Sequence, residues 1–111
     1  MKAKINFTEF LAIQEKLEIK IGTIKLIEEV PKSKKLLKLT VDFDEENLRT
    51  VVTNIKEHVT EAALLHKTFA FVTNLEPVTM MGIVSEAMIM PGEMESGYLI
   101  TTNGPSGSKL L

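Results

Sequence analysis

Apolar and polar residues alternate with a period of two over several stretches of this 111-residue chain, the pattern of half-buried strands. Leu17, Ile19 and Ile21 alternate with Glu18 and Lys20; after Gly22 the phase slips, and Ile24 and Leu26 take the apolar positions. One extra residue at a glycine predicts a β-bulge in a single long, bent strand, the alternative being two strands with a kink between them. Pro31 ends this stretch, and Lys32 to Lys35 form a loop. Leu37, Leu39, Val41 and Phe43 then alternate with Lys38, Thr40 and Asp42, the cleanest strand pattern in the chain. Asp44 to Asn47 make a polar turn, and Leu48 to Ile55, rich in Val and Thr, return as the second arm of a hairpin. Phe69 to Asn74 and Ile83 to Met90 read as the fourth and fifth strands. Pro91 to Gly97 read as a loop, Tyr98 to Thr101 as a short sixth strand, and Gly104 to Lys109 as a turn-rich tail.

Two short helices interrupt this pattern. Phe7, Phe10 and Leu11 have helical spacing behind Asn6 or Thr8 as N-cap, and Asn6 with Glu9 fits a capping box; an irregular arm is the alternative. Thr60 caps a second helix through Glu61 to Leu65. Three strands, a short helix and two strands describe an all-β chain: a five-stranded OB-fold barrel with short N- and C-terminal extensions. Closing the sheet hides its edges and makes a small chain viable. A five-stranded SH3-like barrel competes, but it normally lacks the intervening helix. The expected organisation is one domain over 1–111, with an arm or helix at 1–14, the barrel at 15–90 and a dimerisation extension at 91–111.

Composition narrows the chemistry. Apolar residues make up 44% and charged residues 25%, as in ordinary globular domains. The absence of cysteine excludes disulfides, thiolate metal sites and Cys nucleophiles, and favours the cytoplasm. No apolar run approaches a membrane span, so no membrane association is expected, and no signal peptide is read. His58 and His66 lack metal-ligand spacing, and no nucleophile elbow or phosphate-loop motif occurs. Asp42, Asp44, Glu45 and Glu46 read as solvated charge at a hairpin tip. No cofactor, metal or catalytic residue is expected.

The net charge is −2, yet Lys32, Lys34, Lys35 and Lys38 put 4 of the 13 basic residues within seven positions. The rest of the chain carries 9 basic against 15 acidic residues, a balance of −6. Positive charge on one loop and strand start of an acidic body attracts phosphates locally and disfavours indiscriminate contact; a solvated charged loop is the plain alternative. The segment from Asn74 to Met88 is rich in methionine. With Ile83, Ala87 and Ile89 inward, Val84, Glu86, Met88 and Met90 face out, either as an adaptable binding surface or as core and subunit filler. No platform of exposed aromatics for generic single-strand binding is evident, with one Tyr and no Trp.

Several motifs in order resemble one family. Glu15 to Ile24 resembles its opening strand, Ser33 to Leu39 its Lys-Leu segment, and Asn74-Leu75, Met81-Gly82 and Ser85-Glu86-Ala87-Met88 its later signature. Pro105 to Lys109 is similar to its closing motif. The family is the tRNA-binding domain found at the C-terminus of methionyl-tRNA synthetases, in free-standing dimeric tRNA-binding proteins and in CsaA-like chaperones. The resemblance implies an OB-fold homodimer without catalytic activity, with tRNA as ligand and an aminoacyl-tRNA synthetase as a candidate partner. By position it implies that Lys35 meets phosphate, that Asn74, Ser85, Glu86 and Met88 line the binding face, and that Met81 and Gly82 shape the approach. Lys34 and Lys38 join the site on the charge argument. The stretch Glu76-Pro77-Val78-Thr79 departs from the family by carrying no positive charge. A CsaA-like peptide-binding export chaperone is the alternative function.

Overall fold

The computed structural model describes residues 1–90 and 101–111. The expected loop at Pro91 to Gly97, and the expected sixth strand apart from Thr101, lie outside the described residues.

The architecture is a nearly closed five-stranded β-barrel, as the alternation pattern indicates. Its strands are β1 (Ile19–Glu29), β2 (Leu37–Asp42), β3 (Arg49–Thr53), β4 (Thr68–Val72) and, later in the chain, Met88–Ile89. Every pairing in the sheet is antiparallel. Helix α1 (Phe7–Lys16) precedes the barrel, and α2 (Glu61–Leu64) joins β3 to β4. Asn6 caps α1, its side chain accepting the Glu9 N–H at 2.8 Å. Thr60 caps α2 by accepting the Ala63 N–H.

β2 behaves as its sequence pattern requires: Leu37, Leu39 and Val41 are buried in alternation with half-buried Lys38, Thr40 and Asp42. β1 does not follow the expected course. Its pairing with β4 runs without a shift from Ile19 to Thr23, so there is no bulge at Gly22. The phase slip arises because both faces of β1 are covered. Ile19 packs outside the barrel with Ala70, Val72, Leu17 and Met90, whereas Ile24 belongs to the interior. Gly22 faces inward where no side chain fits: a Cβ there would lie 2.5 Å from Phe43 and 2.6 Å from Val41. The bulge occurs at Lys25, between the Ile24 and Leu26 pairings with β2. Leu26 is thereby exposed, and Ile27 packs against the core instead.

The single expected strand from Ile83 to Met90 is two. β5 (Val78–Met80) and β6 (Ile83–Ser85) form a separate hairpin, and β7 (Met88–Ile89) completes the main sheet, whose order is β3-β2-β1-β4-β7. Met81 and Gly82 are the two loop residues of the hairpin, with φ of 50° and 80°. Two consecutive positive φ values mark the mirror-type turn that suits the twist of paired strands. Nothing lies within 4 Å of a Cβ built on Gly82, so the turn needs glycine for its φ and not for space.

The interior is filled by Ile24, Leu39, Val41, Val51, Phe43, Phe69 and Phe71, with Leu64 of α2 inserted among them. Phe43 and Phe71 meet edge to face, their centroids 5.1 Å apart, a favoured aromatic geometry. The tail lies along β1. Ile21 N–H donates to the Ser108 carbonyl, Gly107 N–H to the Ile21 carbonyl and Leu110 N–H to the Ile19 carbonyl. The Thr23 and Ser106 hydroxyls are hydrogen-bonded at 2.6 Å. These bonds satisfy backbone groups on the edge of β1 that β2 leaves free.

Candidate functional site

Two adjoining hollows lie between β3 and the β5–β6 hairpin and share Val52, Met80 and Met88 as lining residues. The larger, about 350 Å³, extends past Leu36, Asn54 and Ile89; the smaller, about 120 Å³, extends past Leu75, Val78 and Ser85. Together they form a mostly apolar groove. Val52 and Met80 come from different sheets, and Met88 is 49% exposed, so its thioether borders both groove and solvent. Flexible, polarisable methionines suit a surface that must adapt to its ligand.

The groove wall depends on how the barrel closes. β3 is an edge strand whose outward N–H groups need partners. The Ser85 hydroxyl accepts from Val52 N–H at 2.9 Å and donates to the Ala87 carbonyl at 3.2 Å. Glu86 N–H donates to the Thr50 carbonyl at 2.8 Å, and the Glu86 carboxylate accepts from Thr50 N–H at 3.1 Å. Two polar side chains thus continue the ladder where no regular strand pairs.

Of the site residues expected from sequence, Ser85 and Met88 come together in the groove, and Glu86, between β6 and β7, is hydrogen-bonded to Thr50 of β3. Asn74 lies elsewhere. Its amide donates to the Lys16 carbonyl at 2.7 Å and accepts from Glu18 N–H at 2.8 Å, clamping the α1–β1 junction to the end of β4. Met81 and Gly82 occupy the hairpin tip, with Met81 exposed. Lys34 and Lys35 are exposed on the loop leading to Leu36 at the end of the larger hollow. The Ser33 hydroxyl accepts from the N–H groups of Lys35 and Leu36, and the Lys35 carbonyl accepts from Lys56 N–H. The lysine loop is therefore held by its own serine and by the segment after β3. Lys38 points outward from β2 and pairs with Glu28 at 3.7 Å; Lys56 pairs with Glu29 at 3.3 Å.

Sequence reasoning missed Leu36, Val52 and Met80 as groove residues, and Lys56 beside the lysine loop. It also missed Arg49. This side chain holds Glu45 through two hydrogen bonds, of 2.8 and 2.7 Å, and lies 5.3 Å from the Phe43 ring centroid. Its bond from Arg49 holds the Glu45 carboxyl below its ordinary range, and the same bond raises Arg49. The Thr73 hydroxyl, followed by Lys20, Lys109 and Arg49, likewise lowers Glu18 against the opposing effect of burial. A lone arginine beside an acidic turn gives no sequence signal for this network.

Among the described residues no group of three His, Cys, Asp or Glu side chains is placed to hold a metal, and no helix is long and apolar enough to cross a membrane.

The chain is similar to known proteins over most of its length. A family described as "Putative tRNA binding domain" matches residues 19–108. A methionine–tRNA ligase of Bacteroides fragilis is 38% identical over 99 residues, which are 89% of this chain and 14% of that protein. The chain thus spans about one-seventh of the length of this relative. The crystal structure of a MetRS-related protein from Pyrococcus horikoshii superposes with a TM-score of 0.80 at 32% identity, covering 99% of this chain and 100% of the other. Chaperone CsaA from Bacillus anthracis superposes with a TM-score of 0.75 at 26% identity, covering 98% and 100%. With a family match over most of its length, and a barrel and motifs in the expected order, the chain belongs to the tRNA-binding domain family.

Proposed function

We propose that the chain is a non-catalytic tRNA-docking module that works as a cytoplasmic homodimer and serves an aminoacyl-tRNA synthetase. The observation that carries this reading is the adaptable groove of Val52, Met80 and Met88 with the Lys34–Lys35 loop at one end, in a chain of this family. Lysines there neutralise phosphate, and the groove receives an unstacked part of the RNA, as single-stranded segments are generally read. Ser85 and Glu86 support the site by holding the β3 edge, Asn74 anchors the α1–β1 junction away from the groove, and Met81 and Gly82 border its approach. The lysine loop carries four basic residues within seven positions, a small charge for a large polyanion, which favours two copies acting together. Helix α1 supports pairing: none of its residues is buried, and Phe7 and Phe10 lie together with centroids 6.0 Å apart on an exposed apolar face.

The test is fluorescence anisotropy with total tRNA over a series of salt concentrations. Lys35→Ala is expected to weaken binding to all tRNAs and to reduce the slope of log K against log salt by about one. Parent-like binding by this variant would remove Lys35 from the site. A sedimentation mass of one chain at micromolar concentration would overturn the dimer.

A second reading has its own support. The groove is lined by methionine and aliphatic residues, which also suit an extended apolar peptide, and one similar structure is a CsaA chaperone. Tight binding of an unfolded polypeptide with no response to tRNA would favour it.

A further inference from the structure

We infer that Arg49 is the positioning residue of the groove: it ties together the two ends of the chain excursion that carries the β5–β6 hairpin. This rests on the reading that the groove receives tRNA. Arg49 is the only arginine in the chain. Its Nη1 donates to the Thr73 carbonyl at 2.7 Å and to the Glu86 carbonyl at 3.3 Å. Thr73 is where the chain leaves β4 toward the hairpin, and Glu86 is where it returns from β6. Leu75, two residues beyond Thr73, and Ser85 and Ala87, which flank Glu86, line the smaller hollow. One guanidinium therefore sets the separation of both stems of the groove wall.

The guanidinium is itself fixed. Nε and Nη2 engage both oxygens of Glu45, and the Phe43 ring, packed on Phe71 in the core, lies beside it. The hairpin forms a sheet of its own, outside the five-stranded ladder, so its placement depends on such links. Lysine cannot replace this arrangement. Its ammonium is a compact point donor, whereas the planar fork holds a carboxylate with one edge and carbonyls with another. With its donors turned to internal acceptors, Arg49 positions the wall and leaves phosphate contact to the lysines.

Arg49→Lys keeps the charge and tests this role. Affinity for total tRNA is expected to fall about tenfold, the scale of losing a charged hydrogen bond. The salt slope is expected to stay at the parent value, unlike that of Lys35→Ala. Amide hydrogen exchange at residues 78–85 should accelerate about tenfold relative to β2, as a locally loosened hairpin requires. Parent affinity, a slope reduced by about one, or exchange raised equally in β2 and the hairpin would each overturn the inference. If neither parent nor variant binds tRNA, the functional reading fails, and the exchange pattern still decides whether Arg49 holds the hairpin. If Arg49→Lys does not fold, Glu45→Gln loosens the same guanidinium, and faster exchange confined to 78–85 is still required.

Discussion

The Ser85 hydroxyl sits 2.9 Å from the Val52 nitrogen and accepts its hydrogen bond, so a side chain occupies the place of a backbone carbonyl on the β3 edge. Ser85 is only 6% exposed, and Val52 lines the groove from the other side. Ser85→Ala leaves that buried N–H without a partner. A loss of about 1–3 kcal/mol is expected, the cost of an unsatisfied buried donor, and urea unfolding measures it. If stability is unchanged while tRNA binding weakens, the hydroxyl contacts ligand and is not spent on the barrel.

Gly22 is required by the close approach of Phe43 and Val41 to β1. Both neighbours are interior side chains and have little freedom to move. Gly22→Ala is expected to destabilise the fold by roughly 1–3 kcal/mol through overpacking. A thermal unfolding midpoint equal to the parent's would show that the core yields at this point.

The acid limb of stability is expected to depend on Glu45. Its folded carboxyl titrates below the reference value of 4.5 because Arg49 bonds to the ionised form. A lowered pKa contributes stability that is present above the unfolded value and lost as pH falls through the folded one. Glu45→Gln should therefore have a lower melting temperature at neutral pH and a flatter decline below about pH 4.5. Parallel curves for parent and variant would assign the acid response to other carboxylates, Glu18 first among them.

Lys38 is held by Glu28, so phosphate must compete with a carboxylate for it. Glu28→Gln is expected to raise tRNA affinity roughly two- to fivefold, the range of an exposed ion pair. It should also steepen the salt dependence, because one more lysine becomes available. Unchanged affinity and slope would place Lys38 outside the docking surface.

Where one face of an element is solvated, the sequence was a reliable guide. Leu37, Leu39 and Val41 occupy the interior as their alternation requires, and Asn6 and Thr60 cap the helices they precede. Where both faces are covered, alternation misled. The slip after Gly22 looked like a bulge at that glycine because Ile19 and Ile24 serve different clusters on opposite sides of β1, whose bulge lies further on, at Lys25. Ile83 to Met90 looked continuous, but Glu86 turns its N–H and carboxylate toward Thr50, which separates β6 from β7. Arg49 carried no pattern at all, since its acceptors on Thr73 and Glu86 are neighbours only after folding.

The order of strands, the caps, the lysine loop and the family motifs could be read along the chain because each depends on residues a few positions apart. The partners of the polar motif residues could not. Asn74 finds Lys16 and Glu18 more than fifty residues away, Ser85 finds Val52 across the barrel seam, and Met80 lines the same hollow as Val52 from a separate sheet. A buried donor or carbonyl takes whichever partner closure of the barrel brings within about 3 Å. Periodicity specifies which face of a strand turns inward; it carries no information about which distant backbone group will meet it there.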